Sequence, residues 1–324
     1  MKKYMLALGL SLLTVLGLFT GCSPKAETAS GSDSLKIVAT IFPEYDWVRQ
    51  VLGDRAGEVE LTLLLDSGTD LHSYQPTAAD MLTIGECDLF LYNGGESDAG
   101  VERVLATAAN PGRRTLSVME VLGDSVLEEE VVEGMQEAED HDHAEGEAHE
   151  EEADEHVWLS LRNARTACAE IARVLGELDP DHAAEYQTNA ENYMTELEAL
   201  DGEYTALAEN AARRTVLVGD RFPFRYLMDD YGLEYYAAFS GCSAETEASF
   251  ETIAFLSGKT EELALPCILT TESPQPGVAE TIRSNTASGD QTILQLDSMQ
   301  SAGTGDNYLD IMKENLEVLR QALA

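Results

Sequence analysis

The sequence predicts an α/β protein made of two small lobes joined by one long helix, and three observations lead there. Short apolar, β-branched runs alternate with segments of helical periodicity in both halves of the chain, the pattern of sheets with helical crossovers. The strand-like runs are almost continuously apolar, as expected of parallel strands covered on both faces. Between the halves, Tyr186, Ala190, Tyr193, Leu197, Leu200, Tyr204, Leu207 and Ala211 recur at alternating steps of four and three, the stripe of a single helix.

The elements follow in order. Lys2 and Lys3, the apolar run from Met5 to Phe19 and then Thr20-Gly21 read as a secretory signal over residues 1–21. "FTGC" resembles a bacterial lipobox, which makes Cys22 a lipidation site and the Ser/Gly/Ala-rich stretch 22–34 a flexible tether. Residues 35–127 form the N-terminal lobe: strand "LKIVATI", helix "FPEYDWVRQVLG", strand "EVELTLLL", loop "DSGTDLHSYQPT", helix "AADMLTIGE", strand "CDLFLYNG", helix "DAGVERVLATAAN" and strand "RTLSVM". From Glu128 to Glu155 there is no Lys or Arg and no apolar period, so 128–155 is expected to be a solvated or disordered acidic loop carrying His141, His143 and His149. Order is expected to resume at Val157, with Trp158 and Leu159 in the core, and 156–180 completes the first lobe. The linking helix spans 181–212, with Asp179-Pro180-Asp181 supplying its cap chemistry and His182 exposed beside it; it would be roughly 45 Å long. Residues 213–324 repeat the strand and helix rhythm through "TVLVG", "FRYLMDDYG", "EYYAAF", "ASFETIAFLSGK", "LPCILTT", "GVAETIRSN", "TILQLD" and a terminal helix ending "EVLRQALA".

Composition narrows the function. Sixty acidic against twenty basic residues in 324 give a net charge of -40, which argues against nucleic acid and anionic membrane surfaces and favours cationic ligands. Beyond Cys22 the chain holds Cys87, Cys168, Cys242 and Cys267 without CxxC spacing; one or two disulfides in any of three connectivities stay open, and Cys87 and Cys168 are expected as small buried hydrophobes. HExxH, GxSxG and a base–nucleophile pairing are all missing from the sequence.

Strand ends carry the candidate ligands. His72 follows the second strand, His156 stands where order resumes, and Asp297 closes "TILQLD". Neutral imidazoles and a carboxylate converging from separate strand ends suit Zn²⁺ or Mn²⁺. A cleft between lobes, at the carboxyl ends of strands, is where such a ligand would sit.

The segments "LLDSGTDLHSYQPT", "CDLFLYNGG", "DEHVWLSLRNA", "DPDHAAEYQTNAENYMTEL" and "YLDIMKENLEVL", in this order, resemble the metal-binding lipoproteins that deliver zinc or manganese to bacterial ABC importers. The resemblance runs from Lys36 to nearly the end of the chain. It implies two (βα)4-like lobes bridged by a rigid helix, with the metal in the interlobe cleft and four protein ligands. His72, His156 and Asp297 match three of these. The third family position, a histidine in zinc-type and a glutamate in manganese-type relatives, is occupied here by Arg221, which has no lone pair to donate. Asp220, Glu272 or a loop histidine (His141, His143, His149) could replace it, or Arg221 could pair with one of the acids and shape the pocket. The resemblance further implies a membrane-anchored extracytoplasmic monomer that binds Zn²⁺, with Mn²⁺ as the alternative, and whose partner is an ABC permease. The His-rich loop favours zinc. A metal-dependent hydrolase and a metal-buffering adhesin are the competing classes.

Overall fold

Lys36–Ala39 (β1) lies between Glu60–Leu63 (β2) and Leu89–Tyr92 (β3), and Arg114–Ser117 (β4) completes a parallel sheet of order β2-β1-β3-β4. The computed structural model describes residues 34–66, 71–98, 100, 101, 105, 110–136, 152–243, 247–272 and 277–324. The signal and tether with Cys22, the loop histidines His141, His143 and His149, and most of the helix expected over "DAGVERVLATAAN" lie outside the described residues. The second lobe repeats the first: Thr215–Phe222 (β5), Glu234–Ser240 (β6), Cys267–Thr270 (β7) and Thr292–Gln295 (β8) form a parallel sheet of order β6-β5-β7-β8. In each sheet the first strand is interior and the order of strands reverses between the first and third. The crevice at the carboxyl ends of those strands is the natural ligand site of such a sheet.

The helices follow from local chemistry. Phe42–Leu52 (α1) starts with Pro43 in its first turn, and the Glu44 carboxylate turns back to accept the Thr40 and Ile41 N–H groups. Ala78–Glu86 (α2) is capped by Thr77, whose hydroxyl accepts from the Asp80 N–H while Asp80 accepts from the Thr77 N–H. A short helix, Val118–Leu122 (α3), follows β4, and Leu161–Leu178 (α4) is capped by Ser160. Ala183–Asn210 (α5) is the linking helix; its 28 residues make a rod of roughly 42 Å. Arg225–Tyr231 (α6), Phe250–Glu262 (α7), Gly277–Asn285 (α8) and Tyr308–Ala322 (α9) complete the second lobe.

α5 packs against α1, α4 and α9, which joins the two lobes through one hydrophobic core. Tyr186, Ala190, Tyr193, Leu197, Leu200 and Tyr204 are buried as the stripe predicts, but the next buried position is Ala208, with Leu207 only partly covered. A strict seven-residue repeat drifts by about 20° per heptad on a straight helix, so by the third heptad the buried face has moved to the next residue. The Tyr204 hydroxyl donates to the Met312 carbonyl at 2.5 Å, fixing α5 to α9. His182 is partly exposed and pairs with Asp179 at 2.8 Å.

The acidic segment departs from expectation at both ends. Glu128 bridges Ala153, Gln136 bridges Phe239, and Glu130 pairs with Arg225 and accepts from the Tyr235 hydroxyl. Residues 128–136 are thus tied to the second lobe by backbone pairing and ion pairs, to which hydrophobic periodicity is blind. At the other end, order precedes Val157: Asp154 and Glu155 are only 2–3% exposed. The expected core residues Trp158 and Leu159 are buried, and Cys87, Cys168, Cys242 and Cys267 are all free thiols.

Buried carboxyls gather at the ends of β1 and β3. After β3 the chain turns through Gly94 (φ 95°) and Gly95 (φ 84°), left-handed conformations that favour glycine, and Asp98 accepts the Gly94 N–H at 2.8 Å. Burial, followed by the charge of Glu155, pushes the Asp98 carboxyl up to about 6. An acid raised on folding holds its proton more tightly in the native state. Its stabilisation is therefore complete below the usual carboxylate range near about 4 and is lost as pH rises through about 6.

Two outcomes are expected. Leu197→Ala, in the fully buried centre of α5, should destabilise the protein by about 2–5 kcal/mol in urea unfolding, because the cavity lies where both lobes meet. Asp98→Asn should remove about 2–3 kcal/mol of the stability loss that metal-free protein shows between pH ~4 and ~7. Unfolding midpoints at a series of pH values, followed by the fluorescence of Trp47 and Trp158, check it; parallel profiles for the two proteins would contradict it.

Candidate metal centre

Two loops bring imidazoles together at the carboxyl ends of the strands. After β2 the chain makes a 3-10 turn, Leu71–Ser73, anchored by buried Leu71 and presenting His72. His156 precedes a second 3-10 turn, Val157–Leu159, whose three side chains are all buried. Trp158 sits under the His156 ring at 5.2 Å and donates its indole N–H to the Ser298 carbonyl at 2.9 Å, so the backbone behind His156 is clamped to the second lobe.

Each ring is oriented through Nδ1. His156 Nδ1 lies 2.9 Å from Asp154 Oδ1, which also accepts the His156 backbone N–H at 2.8 Å. His72 Nδ1 lies 2.9 Å from Ser97 Oγ and 3.4 Å from Glu155 Oε2. Burial alone would raise the Glu155 carboxyl, but hydrogen bonds from His72 and Ser97 outweigh it and hold the group below the usual range. A carboxylate accepts only, so Asp154 places the proton of His156 on Nδ1 and leaves the lone pair on its Nε2. The two Nε2 atoms face each other at 3.2 Å. Nitrogens bound tetrahedrally to one zinc at about 2.0–2.1 Å stand ~3.3 Å apart, so the pair is already spaced as one edge of such a site.

Cys242 brings a third potential ligand atom close to the imidazoles. Among the described residues, the ligand atoms of His72, His156 and Cys242 lie within 4.8 Å of one another. Cys242 follows β6, the strand that in the second lobe corresponds to β2. Gly241 makes the approach feasible: a Cβ there would stand 2.8 Å from His156 Cε1 and 2.9 Å from the Phe222 carbonyl. The loop is held by Glu129, which accepts the Cys242 N–H at 3.1 Å. Burial, then the charges of Glu129, Asp154 and Glu155, push the thiol upward, while the Glu155 backbone N–H donates to the sulfur and opposes them.

The other candidates occupy different positions. Asp220 directs one oxygen to the Arg221 N–H and the other to Thr270 and Thr271, at 2.7–3.3 Å, and does not join the imidazoles. Arg221 reaches the Ser243 carbonyl in a long 3.5 Å hydrogen bond, one residue beyond Cys242. Glu272 accepts from the Ser298 N–H and hydroxyl and from the Gln300 N–H, at 2.7–3.0 Å. Asp297 caps the same loop by accepting the Met299 N–H at 2.7 Å; burial and then Glu272 push its carboxyl up to about 6. Met299 adopts φ 66°, a strained conformation for a non-glycine residue, and the loop it bends sets the Gln300 amide 3.3 Å from His156 Nε2. The structure thus unites His72 and His156, and leaves Asp297, Asp220 and Glu272 outside the group of three donors. His141, His143 and His149 lie outside the described residues.

Sequence reasoning missed Cys242, Gln300 and the orienting pair Asp154–Glu155. One signal was present. "SGCS" follows the second strand of the second lobe as the His72 loop follows the second strand of the first, and a small residue next to a potential ligand at a strand end marks close approach.

The arrangement can be compared with known proteins. Residues 37–322 match the model of the family described as zinc-uptake complex component A, periplasmic (ZnuA). The zinc-binding lipoprotein AdcA of Streptococcus pneumoniae is 31% identical over 323 residues, covering 99% of this chain and 61% of AdcA, so the chain spans about three-fifths of that relative's length. The high-affinity zinc uptake system protein ZnuA of Bacillus subtilis is 29% identical, with 93% of this chain and 91% of that protein covered. Among solved structures, the Zn(II)-bound ZnuA-like domain of Streptococcus pneumoniae AdcA aligns with a TM-score of 0.70 at 26% identity, covering 90% of this chain and 99% of that one. The periplasmic zinc-binding protein TroA of Treponema pallidum shares the fold, with a TM-score of 0.72 at 24% identity over 90% of this chain and 99% of that one. With two parallel four-stranded lobes on one long helix and a family match over residues 37–322, the chain belongs to the zinc-uptake complex component A (ZnuA) family.

Proposed function

We propose that this protein is an extracytoplasmic receptor, tethered through a lipid on Cys22, that captures Zn²⁺ in the interlobe cleft and passes it as a monomer to the permease of an ABC importer. The observation that carries this is the facing pair of imidazoles: His72 and His156 present Nε2 atoms at 3.2 Å with both Nδ1 positions engaged. A cation between them gains two coordinate bonds. The similarity to a zinc-binding lipoprotein and to a high-affinity zinc uptake protein supports the same cargo.

Asp297 is the carboxylate that the second lobe offers. Its loop already touches His156 through Gln300, and a carboxyl raised by burial and by Glu272 gains most from a nearby cation. Metal entry requires the Gln300 amide to leave His156 Nε2, so that side chain works as a removable cap. The loop histidines His141, His143 and His149 gather metal ahead of the cleft. The function is capture and release, with no chemistry on a substrate.

Isothermal titration of metal-free protein with Zn²⁺ should show one tight site that is lost in His72→Ala/His156→Ala; tight binding surviving in that variant would sink the proposal. Gln300→Ala should tighten Zn²⁺ binding by about 2- to 10-fold, the worth of one neutral hydrogen bond that no longer competes. Deleting 137–151 should spare the tight site and reduce the weaker ones, since the structured segment 128–136 keeps Glu129 on the Cys242 loop.

A further inference from the structure

We propose that Cys242 is a metal ligand, a thiolate that joins His72 and His156 in the cleft and supplies the coordination lost where Arg221 stands. This rests on the receptor proposal above and specifies its chemistry.

Three independent features converge on the sulfur. First, it shares a cluster with the two imidazole donors, all within 4.8 Å of one another, and a tetrahedral zinc with Zn–N of about 2.05 Å and Zn–S of about 2.3 Å needs N···S separations of ~3.6 Å. A movement of about 1 Å, by side-chain rotation or by slight closure of the lobes, completes the geometry. Second, the backbone is built to bring it there: Gly241 passes so close to the His156 ring that any side chain would collide. Third, the loop is fastened from both sides, by Glu129 on the Cys242 N–H and by Arg221 on the Ser243 carbonyl. The residue that cannot be a ligand therefore holds the loop of the one that can. Cys87, Cys168 and Cys267 are buried within the lobes and join no such cluster among the described residues.

Binding is balanced simply. The S–H bond breaks, the sulfur electron pair forms the Zn–S bond, and the proton passes to solvent, so metal uptake releases a proton from this group. A thiolate beside two imidazoles favours Zn²⁺ over Mn²⁺, which prefers oxygen, so Cys242 is a specificity determinant as well as a ligand.

The test uses the purified protein loaded with Co²⁺ or Zn²⁺. The Co²⁺ form should show a thiolate-to-cobalt charge-transfer band in the near ultraviolet, and zinc X-ray absorption should show one sulfur at about 2.3 Å. Both signals should vanish in Cys242→Ser and persist in Cys267→Ser, and Cys242→Ser should bind Zn²⁺ at least about tenfold more weakly while its Mn²⁺ affinity changes less. A wild-type spectrum without sulfur overturns the proposal whether or not any variant folds, as does a sulfur signal that survives in Cys242→Ser. Nitrogen ligands without sulfur would leave the receptor proposal standing and remove only the cysteine. Tight zinc binding that survives in His72→Ala/His156→Ala would remove the cleft site itself.

Discussion

The structure turns on one tripeptide, Asp154-Glu155-His156. Asp154 holds the imidazole of His156 at Nδ1, and at the Nδ1 of His72 Glu155 stands behind the nearer Ser97 hydroxyl. An imidazole can ligate a metal only with a deprotonated nitrogen turned to the site, and a carboxylate at the opposite nitrogen enforces both the tautomer and the orientation. Burying these acids is costly unless their oxygens are engaged. The surroundings respond accordingly: Asp154 takes the His156 N–H as well as the ring, Glu155 takes the Ser97 N–H, and Tyr226 donates its hydroxyl to the Asp154 carbonyl.

The long helix explains how such loops keep their register across two lobes. α5 carries one buried stripe that joins the core of the first lobe to that of the second, and its hydroxyl contact with α9 ties it to the element nearest the Asp297 loop. The donors converge from both lobes: His72 and His156 come from the first, Cys242 and the Gln300 cap from the second. A stiff connection favours small adjustments over wide hinge motion, and the distances here call only for movements of about an ångström.

Much of the architecture was legible in the sequence because it rests on apolar periodicity. The parallel strands read as continuous apolar runs, and the linking helix announced itself from Tyr186 to Tyr204. The errors fall where a different physics operates. The slip from Leu207 to Ala208 reflects the mismatch between a seven-residue repeat and a straight helix. Segment 128–136 is solvent-facing as read, yet it is anchored, because its ties are carboxylates and backbone bridges. In the site, His72 and His156 could be picked out by residue type and strand-end position. Asp154 and Glu155 could not, since in sequence they are only two more acids in a long acidic run. What separates them is burial, which arises from tertiary packing alone.

Arg221 stands where the family resemblance expects a ligand. Its position lies at the carboxyl end of the first strand of the second lobe, and a ligand there would approach the cleft from the sheet's centre. Cys242 follows the neighbouring edge strand β6, in parallel register with β5, so its loop rises beside that position at the same end of the sheet. Replacing a ligand by arginine leaves a cation near a cation site, which is repulsive unless the guanidinium is turned away and used. Here it turns to the Ser243 carbonyl, and Asp220 directs its oxygens to Thr270, Thr271 and the Arg221 N–H. With arginine in this role, a donor is wanted from an adjacent loop, and Cys242 stands beside the glycine that lets that loop pass the His156 ring.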